Sequence, residues 1–463
     1  MKKFIIFICS FTVIISSLII PVSAFNYIDD LQKENGDKTV KLYCKVDYLM
    51  SLDDGSVIIE NNAKEKVAPA SLTKIMTALV VLKNKDLNDT ITVAPEAIES
   101  LYNTGSSTSG LKIGEQMSVY DMLCCLLIPS GNDAAAALAI AVGGTMENFV
   151  KMMNDTAKEL GCTDTNFVNP HGLDAPNHKT TAYDLAKITQ AALKYSAFKK
   201  IVACDTYQLP ATNMNSSRRL NNTNYLLVKY RVTYYNSNCK GIKTGSTDDA
   251  GKCLVSYASK GGCEYLAIAM GGDQIDTDND GITENQAFMD TNKMYKWAFN
   301  NLKFEIVTKS NQFICSVPVK YSWKNDTLSL VAKEELIALV PKGNNAESVS
   351  FEPTDVPKSL SAPIKKGDFL GKADVNYAGI TIGEVELIAS EDVNMSILLY
   401  ALAKFGILLH NPVFDVIAIF VFLLFVGYII WTVKINKKRK KRRQIKVIHY
   451  NELHRNTQSK KKK

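Results

Sequence analysis

The sequence predicts an α/β (α+β) domain, followed by a small all-β domain and a C-terminal transmembrane helix. Helix and strand signals are mixed between residues 25 and 302, which is typical of a domain that packs helices against a sheet. From 303 to 393 the signals are short strands separated by clusters of Pro, Gly, Asn and Asp. Residues 416–433 carry no charge and are almost wholly apolar, as a membrane-spanning helix requires.

The N-terminus has the pattern of a secretory signal peptide. Met1-Lys2-Lys3 precede a mostly apolar run at 4–20, and Val22-Ser23-Ala24 supplies a small-x-small cleavage site. We predict that residues 1–24 are removed and that the mature protein acts outside the cytoplasm. The alternative is an uncleaved anchor, because the apolar run is nearly long enough to span a bilayer.

The C-terminal end predicts one membrane span with a cytoplasmic tail. As a helix, 416–433 would be about 27 Å long, close to the hydrocarbon thickness of a bilayer. Residues 434–463 follow directly, with 14 Lys or Arg and one acidic residue. Positive flanks stay in the cytoplasm, so the domains before the span face outward. The linker 394–415 holds an apolar stretch that either lies along the membrane surface or leads into the span.

The charge of this tail also limits what the exported part can bind. The tail has a net charge of +13 and the whole chain +7, so the residues before the tail sum to −6. Nucleic-acid binding, which depends on basic surface, is therefore not expected. We expect the tail to set the topology and to contact anionic lipid headgroups.

The cysteines do not predict a metal site. Ten are present, and Cys9 lies in the signal peptide. The remaining nine include no C-x-x-C pair, and the sequence has no His-rich ligand spacing. We predict neither a metal nor a cofactor, and no disulfide pairing can be assigned.

The elements of the two domains follow in chain order. A strand is predicted at 57–59 and a helix at 71–82, just after Pro69. Further helices are predicted at 119–128, 134–142 and 181–195. Strands are predicted at 253–258 and 263–270, around a hairpin at Lys260-Gly261-Gly262. Strands of the second domain are predicted at 304–307, 328–331 and 384–388.

The first motif that carries chemistry is Ser71-Leu72-Thr73-Lys74. Residues three apart share one face of a helix, so the Lys74 amine can reach the Ser71 hydroxyl. The helix N-terminus also favours an alkoxide at Ser71. Taken alone, such a pair is more often structural, because S-x-x-K recurs at Ser109, Ser196, Ser237 and Ser459.

Two further motifs favour a catalytic role for the Ser71–Lys74 pair over a structural one. Ser130-Gly131-Asn132 is the only S-x-N in the chain and lies between two predicted helices, where a loop can present side chains to a cleft. Lys243-Thr244-Gly245 is the only K-T-G and precedes the predicted hairpin strands. All three motifs, in this order on an exported chain, are the set that marks penicillin-binding proteins and serine β-lactamases.

The sequence resembles one family within that set in particular: the low-molecular-weight penicillin-binding proteins of the D-alanyl-D-alanine carboxypeptidase family, peptidase family S11. The segments that carry the resemblance are Ala68-Pro69-Ala70-Ser71-Leu72-Thr73-Lys74-Ile75-Met76-Thr77, Ser130-Gly131-Asn132-Asp133-Ala134-Ala135, Asn169-Pro170-His171-Gly172-Leu173, Asn222-Thr223-Asn224-Tyr225-Leu226-Leu227 and Gly241-Ile242-Lys243-Thr244-Gly245. The resemblance implies a catalytic domain with a central antiparallel sheet and a helical subdomain. This sequence departs from the family's pattern at its C-terminal membrane anchor. Relatives often use an amphipathic helix there, whereas this chain is predicted to span the bilayer.

The resemblance also implies the activity and the catalytic residues. The enzyme would be a serine-type hydrolase that removes the terminal D-alanine from peptidoglycan stem peptides ending in D-Ala-D-Ala, and β-lactams would inhibit it. Ser71 would form the acyl-enzyme, and Ser130 would relay a proton to the departing D-alanine. Lys74 would be the base, which requires burial and the neighbouring charge of Lys243 to lower its pKa from about 10.4.

The remaining motif residues are implied to bind substrate. Asn132 would bind the substrate amide, and Thr244, assisted by Lys243, would hold the terminal carboxylate. The strand beginning near Gly245 would pair with the extended peptide. The oxyanion hole would use the Ser71 backbone N–H and one from the strand after Gly245.

Several alternatives remain. A β-lactamase would need a dedicated carboxylate, and no E-x-x-L-N motif lies between Ser130 and Lys243. A D,D-endopeptidase that cuts wall crosslinks uses similar chemistry, and a β-lactam or wall-peptide sensor without turnover would keep the same motifs. His171 with Asp174 invites a Ser-His-Asp interpretation, but the loop composition around His171 favours a shaping or gating role.

Overall fold

The computed structural model describes residues 41–277, 280–342, 349–377, 380–409 and 412–459. The predicted signal peptide lies outside these residues, so its removal stays a prediction. The described residues form two compact units. One unit holds the described residues of 41–309, 334–354 and 373–385, and the other holds those of 310–333, 355–372 and 386–459. The domain boundaries proposed from the sequence, at 302 and 393, stay predictions.

The first unit mixes helices and strands. Its helices are α1 (Thr73–Asn84), α2 (Pro95–Glu99), α3 (Val119–Leu127), α4 (Asn132–Gly143), α5 (Met146–Glu159), α6 (Ala182–Leu193), α7 (Ser196–Val202) and α8 (Gln286–Asn301). Its strands up to α8 are β1 (Val46–Ser51), β2 (Val57–Asn61), β3 (Thr90–Thr92), β4 (Gln116–Ser118), β5 (Thr206–Leu209), β6 (Arg218–Asn221), β7 (Cys239–Thr247), β8 (Gly251–Lys260), β9 (Cys263–Gly272), β10 (Gln274–Ile275) and β11 (Glu284–Asn285).

A five-stranded antiparallel sheet forms the centre of this unit, in the order β2-β1-β9-β8-β7. Its middle strand β9 is apolar on both faces. Leu266, Ile268 and Met270 pack into the core shared with the helices, whereas Tyr265 and Ala267 pack on the opposite face, against α8. This alternation follows from the two-residue period of a strand. The sheet is therefore covered on both faces, and the predicted central antiparallel sheet with a helical subdomain is confirmed.

Short polar residues start three of the helices. The side chains of Ser118, Thr145 and Thr181 each accept a hydrogen bond from the backbone N–H three residues later, at the starts of α3, α5 and α6. Such caps satisfy an amide that the helix itself leaves unpaired. The starts of α3 and α6 agree with the helices predicted at 119–128 and 181–195, whereas α5 was not predicted from the sequence.

The structure differs from the predicted elements at three places near the motifs. The helix predicted at 71–82 begins at Thr73, and Ser71 lies in a preceding 3-10 turn, Ala70–Leu72. Asn132 belongs to the first turn of α4 rather than to a loop. The K-T-G triplet lies inside β7 rather than before a strand, because β7 pairs with β8 from Cys239 onward. The prediction of a strand beginning near Gly245 was therefore wrong about its start.

From α8 to residue 389 the described chain is built of strands. These are β12 (Leu302–Thr308), β13 (Phe313–Lys320), β14 (Thr327–Ala332), β15 (Leu336–Pro341), β16 (Val349–Pro353), β17 (Leu360–Ser361), β18 (Phe369–Tyr377) and β19 (Ile380–Ala389). Within the first unit β12 pairs with β15, and within the second β13 pairs with β14. The described residues of 303–393 contain no helix, and the predicted all-β domain is confirmed.

Two helices end the described chain: α9 (Ile397–Leu409) and α10 (Pro412–Ser459). Among the described residues, α10 alone is long and apolar enough to cross a membrane. The predicted span, 416–433, lies inside it, with exposed apolar side chains. The helix continues through the described part of the basic tail.

Candidate active site

An open cleft of about 650 Å³ lies in the first unit, next to the edge strand β7. Five of the seven site residues predicted from the sequence line it: Ser71, Ser130, Asn132, Thr244 and Gly245. The other two, Lys74 and Lys243, are buried and donate hydrogen bonds to residues that line the cleft. The structure therefore brings the three motifs together.

Ser71 and Lys74 are in direct contact. Lys74 Nζ lies 2.9 Å from Ser71 Oγ. The same nitrogen donates to Asn132 Oδ1 at 2.5 Å and to the backbone oxygen of His171 at 2.8 Å. Lys74 has no exposed surface, whereas Ser71 is half-buried and open to the cleft. The hydroxyl is thus accessible and the amine is shielded from water.

This environment disfavours a charge on Lys74. Burial lowers the pKa of Lys74 well below its usual value, the nearby positive charge of Lys243 lowers it further, and Asp133 opposes the shift. A neutral lysine amine keeps two N–H groups and one lone pair. Asn132 Oδ1 and the His171 oxygen can accept those two N–H groups, which leaves the lone pair for the Ser71 hydroxyl. The contacts therefore suit a neutral amine.

The turn that carries Ser71 is stabilised by hydrogen bonds of Thr73. Ala70, just before it, has a left-handed φ of +46°, which is costly for a residue with a Cβ. Thr73 Oγ1 donates to the Ala70 oxygen at 2.9 Å and contacts His178 Nε2 at 2.9 Å. Because His178 Nδ1 accepts from the Val168 N–H, the proton is assigned to Nε2, which donates to Thr73. Burial lowers the pKa of His178 to about 4, consistent with this neutral ring.

The Ser130-Gly131-Asn132 segment is fixed by backbone contacts. Ser130 has a φ of +66°, and the Asn132 N–H donates to the Ser107 oxygen at 2.8 Å. The buried carboxylate of Asp133 accepts from the N–H groups of Ser109 and Leu111. The segment 107–111 is thereby attached to the start of α4.

The third motif lies on the edge of the sheet. Lys243 is buried, and its Nζ donates to the Thr244 oxygen at 2.9 Å; burial lowers its pKa to about 7. The Thr244 and Thr223 hydroxyls contact each other at 2.6 Å. A Cβ on Gly245 would lie 3.2 Å from the Ser71 nitrogen, so the strand passes directly beside the Ser71 turn.

Several residues of the site were not singled out for a role by the sequence. The His171 backbone oxygen, His178 and Thr223 all contact motif residues across long sequence separations. Thr223 did fall in a family-like segment, but nothing in the chain pattern placed it beside Thr244. The His171 ring is not a base for Ser71 here, because Ser71 Oγ contacts Lys74 and burial lowers the pKa of His171 to about 3.

Gly172 offers a stability test of the Ser71 turn. Its φ is +92°, and a Cβ there would lie 1.9 Å from the Ala70 oxygen. We expect Gly172→Ala to destabilise the protein by about 3 kcal/mol or more, since a forced contact costs about 1–3 kcal/mol and a left-handed φ a further ~1–2 kcal/mol. We also expect it to slow acylation of Ser71.

The matched control is Gly144→Ala, at φ +76° with nothing within 4 Å of the added Cβ. It should cost only about 1–2 kcal/mol, the price of the backbone conformation. Urea denaturation of both variants measures the difference. Equal destabilisation by the two substitutions would contradict the proposed crowding at Ala70.

Within the described part of the chain, one group of potential metal ligands lies outside the cleft. Cys44, Asp47 and Asp290 are buried and offer ligand atoms within 4.8 Å of one another. Asp290 already accepts from the N–H groups of Tyr43 and Cys44 and from Lys293. None of the three residues lines the cleft, so the cluster takes no part in the site. All nine described cysteines are free thiols.

Comparison with known families agrees with this geometry. Residues 34–274 match the peptidase S11 family, described as D-alanyl-D-alanine carboxypeptidase. The chain belongs to this family. Residues 303–395 match a second family, the C-terminal domain of penicillin-binding protein 5. The resemblance inferred from the three motifs is confirmed.

Curated relatives cover most of the chain. D-alanyl-D-alanine carboxypeptidase DacF of Bacillus subtilis (strain 168) is 32% identical over 388 residues, which cover 82% of this chain and 94% of the relative. D-alanyl-D-alanine carboxypeptidase DacC of Escherichia coli (strain K12) is 34% identical over 359 residues, covering 74% of this chain and 83% of the relative.

Solved structures show the same fold. Penicillin binding protein 5 from Haemophilus influenzae is 27% identical, with a TM-score of 0.59, and the match covers 78% of this chain and all of that one. D-alanyl-D-alanine carboxypeptidase DacD from Francisella tularensis, at 24% identity and a TM-score of 0.62, supports the fold alone.

Membership of the S11 family defines the class of reaction. The chain is a hydrolase, a D-alanyl-D-alanine carboxypeptidase of the penicillin-binding type. The family acts on peptidoglycan peptides that end in D-Ala-D-Ala and binds β-lactams. These findings favour the carboxypeptidase over the endopeptidase and sensor alternatives.

Proposed function

We propose that the chain removes the terminal D-alanine of stem peptides through an acyl-enzyme on Ser71, with Lys74 as the base. The observation that carries the proposal is the contact set of Lys74. Two N–H groups of Lys74 donate to carbonyl oxygens, those of the Asn132 side chain and the His171 backbone. The third contact of Lys74 Nζ is with Ser71 Oγ, at 2.9 Å. A neutral lysine so placed takes the hydroxyl proton as Ser71 attacks the carbonyl between the two D-alanines.

The other motif residues complete the reaction. Ser130, which lines the same cleft, passes the proton to the nitrogen of the departing D-alanine. Burial, and after it the positive charge of Lys243, favours the neutral form of Lys74. The Ser71 N–H and an N–H of β7 beyond Gly245 stabilise the oxyanion. Water then hydrolyses the ester and regenerates the Ser71 hydroxyl.

The substrate peptide is proposed to bind as an added strand. β7 is an edge strand whose known partner, β8, lies on one side only, and its K-T-G segment borders the cleft. Main-chain hydrogen bonds to an edge strand give affinity without demanding a particular side chain. Asn132 binds the substrate amide, and Thr244 contacts the terminal carboxylate.

The test uses the full chain in detergent. Incubation with a peptide ending in Lys-D-Ala-D-Ala should release free D-alanine, and a labelled penicillin should attach covalently to Ser71. Penicillin labelling without D-alanine release would favour an endopeptidase or a sensor. If folded protein is not labelled by penicillin and releases no D-alanine, the proposed enzyme mechanism is overturned.

We further propose that α10 anchors the enzyme in the cell membrane, with the catalytic domain outside and the tail inside. The apolar segment 416–433 is followed by the basic cluster 437–443, and such clusters remain cytoplasmic. Protease added to intact spheroplasts should digest the catalytic domain and spare an epitope placed after Lys463. Loss of that epitope before the membrane is opened would contradict this orientation.

A further inference from the structure

The loop between β13 and β14, residues 321–326, presents a tryptophan at the surface of the second unit. The Trp323 side chain is 70% exposed. The hydroxyl of the buried Ser322 accepts from the N–H groups of Lys324 and Asn325, at 3.3 Å each. The Asn325 amide in turn donates to the Glu391 carboxylate at 2.6 Å. The indole is therefore exposed on a loop that its own hydrogen bonds hold in place.

The same loop contacts the first turn of α9. The backbone N–H of Ser396, just before α9, donates to the Tyr321 oxygen at 2.7 Å. The rings of Tyr321 and Tyr400 meet edge to face, with their centroids 5.3 Å apart. Both elements belong to the second unit. The loop and the start of α9 therefore form one continuous surface.

The helix α9 is apolar on more than one face. Lys404 is its only charged residue. At about 100° per residue, its apolar side chains that are more than half exposed are spread over more than half of the helix circumference: Ile397, Leu398, Leu402, Phe405 and Ile407. A groove on a protein covers one face of a helix, whereas lipid can surround the whole helix. A bilayer is therefore the occupant that fits this surface.

The chain also places α9 close to the predicted span. The helix ends at Leu409 and the span begins at Val416, and this length of chain reaches about 25 Å at most. The exposed apolar surface extends back to Ile397, the first residue of α9, so only a helix that lies along the membrane buries all of it. Trp and Tyr side chains favour the headgroup level, where the ring is in an apolar medium and its N–H or O–H stays hydrated.

We propose that the 321–326 loop is a second membrane contact of the enzyme, with the Trp323 indole at the headgroup level of the outer leaflet, beside an α9 that lies along the membrane surface. The inference rests on the proposed anchoring by α10 and goes beyond it. A span alone holds the chain at one point, whereas the loop attaches the second unit itself to the lipid. Lys324, exposed next to Trp323, extends its ammonium towards the lipid phosphates.

The test measures contact between Trp323 and lipid. The chain has three tryptophans, of which Trp297 is buried in the first unit and Trp431 lies in the predicted span. The full chain carrying Trp431→Phe is reconstituted in vesicles of phosphatidylcholine and phosphatidylglycerol, with and without phosphatidylcholine brominated near the headgroup, which quenches tryptophan emission on contact. We expect roughly a third to a half of the emission to be lost, because one of the two remaining indoles lies at the headgroup level.

Two further variants, made in the Trp431→Phe background, locate the contact. Trp323→Phe should abolish the quenching and, because an aromatic ring remains, should leave thermal unfolding unchanged. Adding Phe313→Trp to that variant supplies the matched control. Phe313 is 58% exposed at the opposite end of β13, more than about 20 Å along the strand from the loop, and an indole there should stay unquenched.

The inference is overturned if the Trp431→Phe protein loses no emission, or if Trp323→Phe leaves the quenching intact. Equal quenching of the indole introduced by Phe313→Trp would also overturn it, because the contact would then not belong to the loop. Wild-type protein that brominated lipid does not quench would instead contradict the anchoring by α10, since Trp431 lies inside the predicted span.

Discussion

Ser71→Ala is expected to lower D-alanine release by about 10⁴-fold or more and to abolish covalent labelling by penicillin. The size of the effect follows from the loss of the atom that forms the acyl bond, and nucleophile removal in serine hydrolases has effects of this order. Ser71 is half-buried, and its hydroxyl contacts the flexible end of the Lys74 side chain. The variant should therefore fold, and its thermal unfolding should resemble that of the wild type.

The chain supplies a matched control in Ser196→Ala. Ser196 and Lys199 repeat the S-x-x-K spacing at the start of α7, but both side chains are exposed. This variant should keep full activity and full penicillin labelling. Residual labelling of Ser71→Ala, located to another serine by mass spectrometry, would show that the nucleophile has been assigned wrongly.

Lys74→Met is expected to lower acylation by about 10²- to 10⁴-fold, the usual contribution of a positioned general base. Methionine is similar in length and neutral, so it fills the fully buried position without leaving a cavity. It cannot accept the Ser71 proton. The measurement is the second-order rate of penicillin labelling, with Lys199→Met as the control, since Lys199 is exposed on α7. A Lys74→Met rate within fivefold of the wild type would exclude Lys74 as the base.

The pH dependence provides a second measurement on the same lysine. Burial and the charge of Lys243 lower the pKa of Lys74 well below its usual 10.5, and the base must be neutral to act. Activity is therefore present above that lowered pKa and is lost as pH falls through it. Lys243→Gln removes a neighbouring positive charge, so the pKa of Lys74 should rise. The acid limb of kcat/KM should then move to higher pH, and a shift to lower pH would contradict this coupling.

The local parts of the site were predictable because they depend on short-range geometry. The contact between Ser71 and Lys74 follows from their spacing at the start of one helix. The helix predicted at 181–195 opens with Thr181, which caps the start of α6. The hairpin that joins β8 and β9 was predicted from the local pattern Lys260-Gly261-Gly262 between two apolar runs. Each of these features involves neighbours within a few residues.

Other parts required the folded chain. The Asn132 amide lies 58 residues from Lys74, and the His171 oxygen lies 97 residues away. No spacing rule links such positions. The role first given to Lys243, assisting Thr244 at the carboxylate, also depended on where its side chain ended, and its Nζ is directed at a backbone oxygen.

By itself, the sequence determined the apolar span and the motif residues, because composition and spacing are properties of the chain, and its motif segments carried the resemblance to the family. The apolar helix body at 75–82 and the two further motifs distinguished Ser71 and Lys74 from the equally spaced Ser196 and Lys199 in the sequence. The tertiary structure added the degree of burial, since it buries Lys74 completely and leaves Lys199 exposed. Burial lowers the pKa of a lysine only when the whole fold removes the solvent that would stabilise its charge.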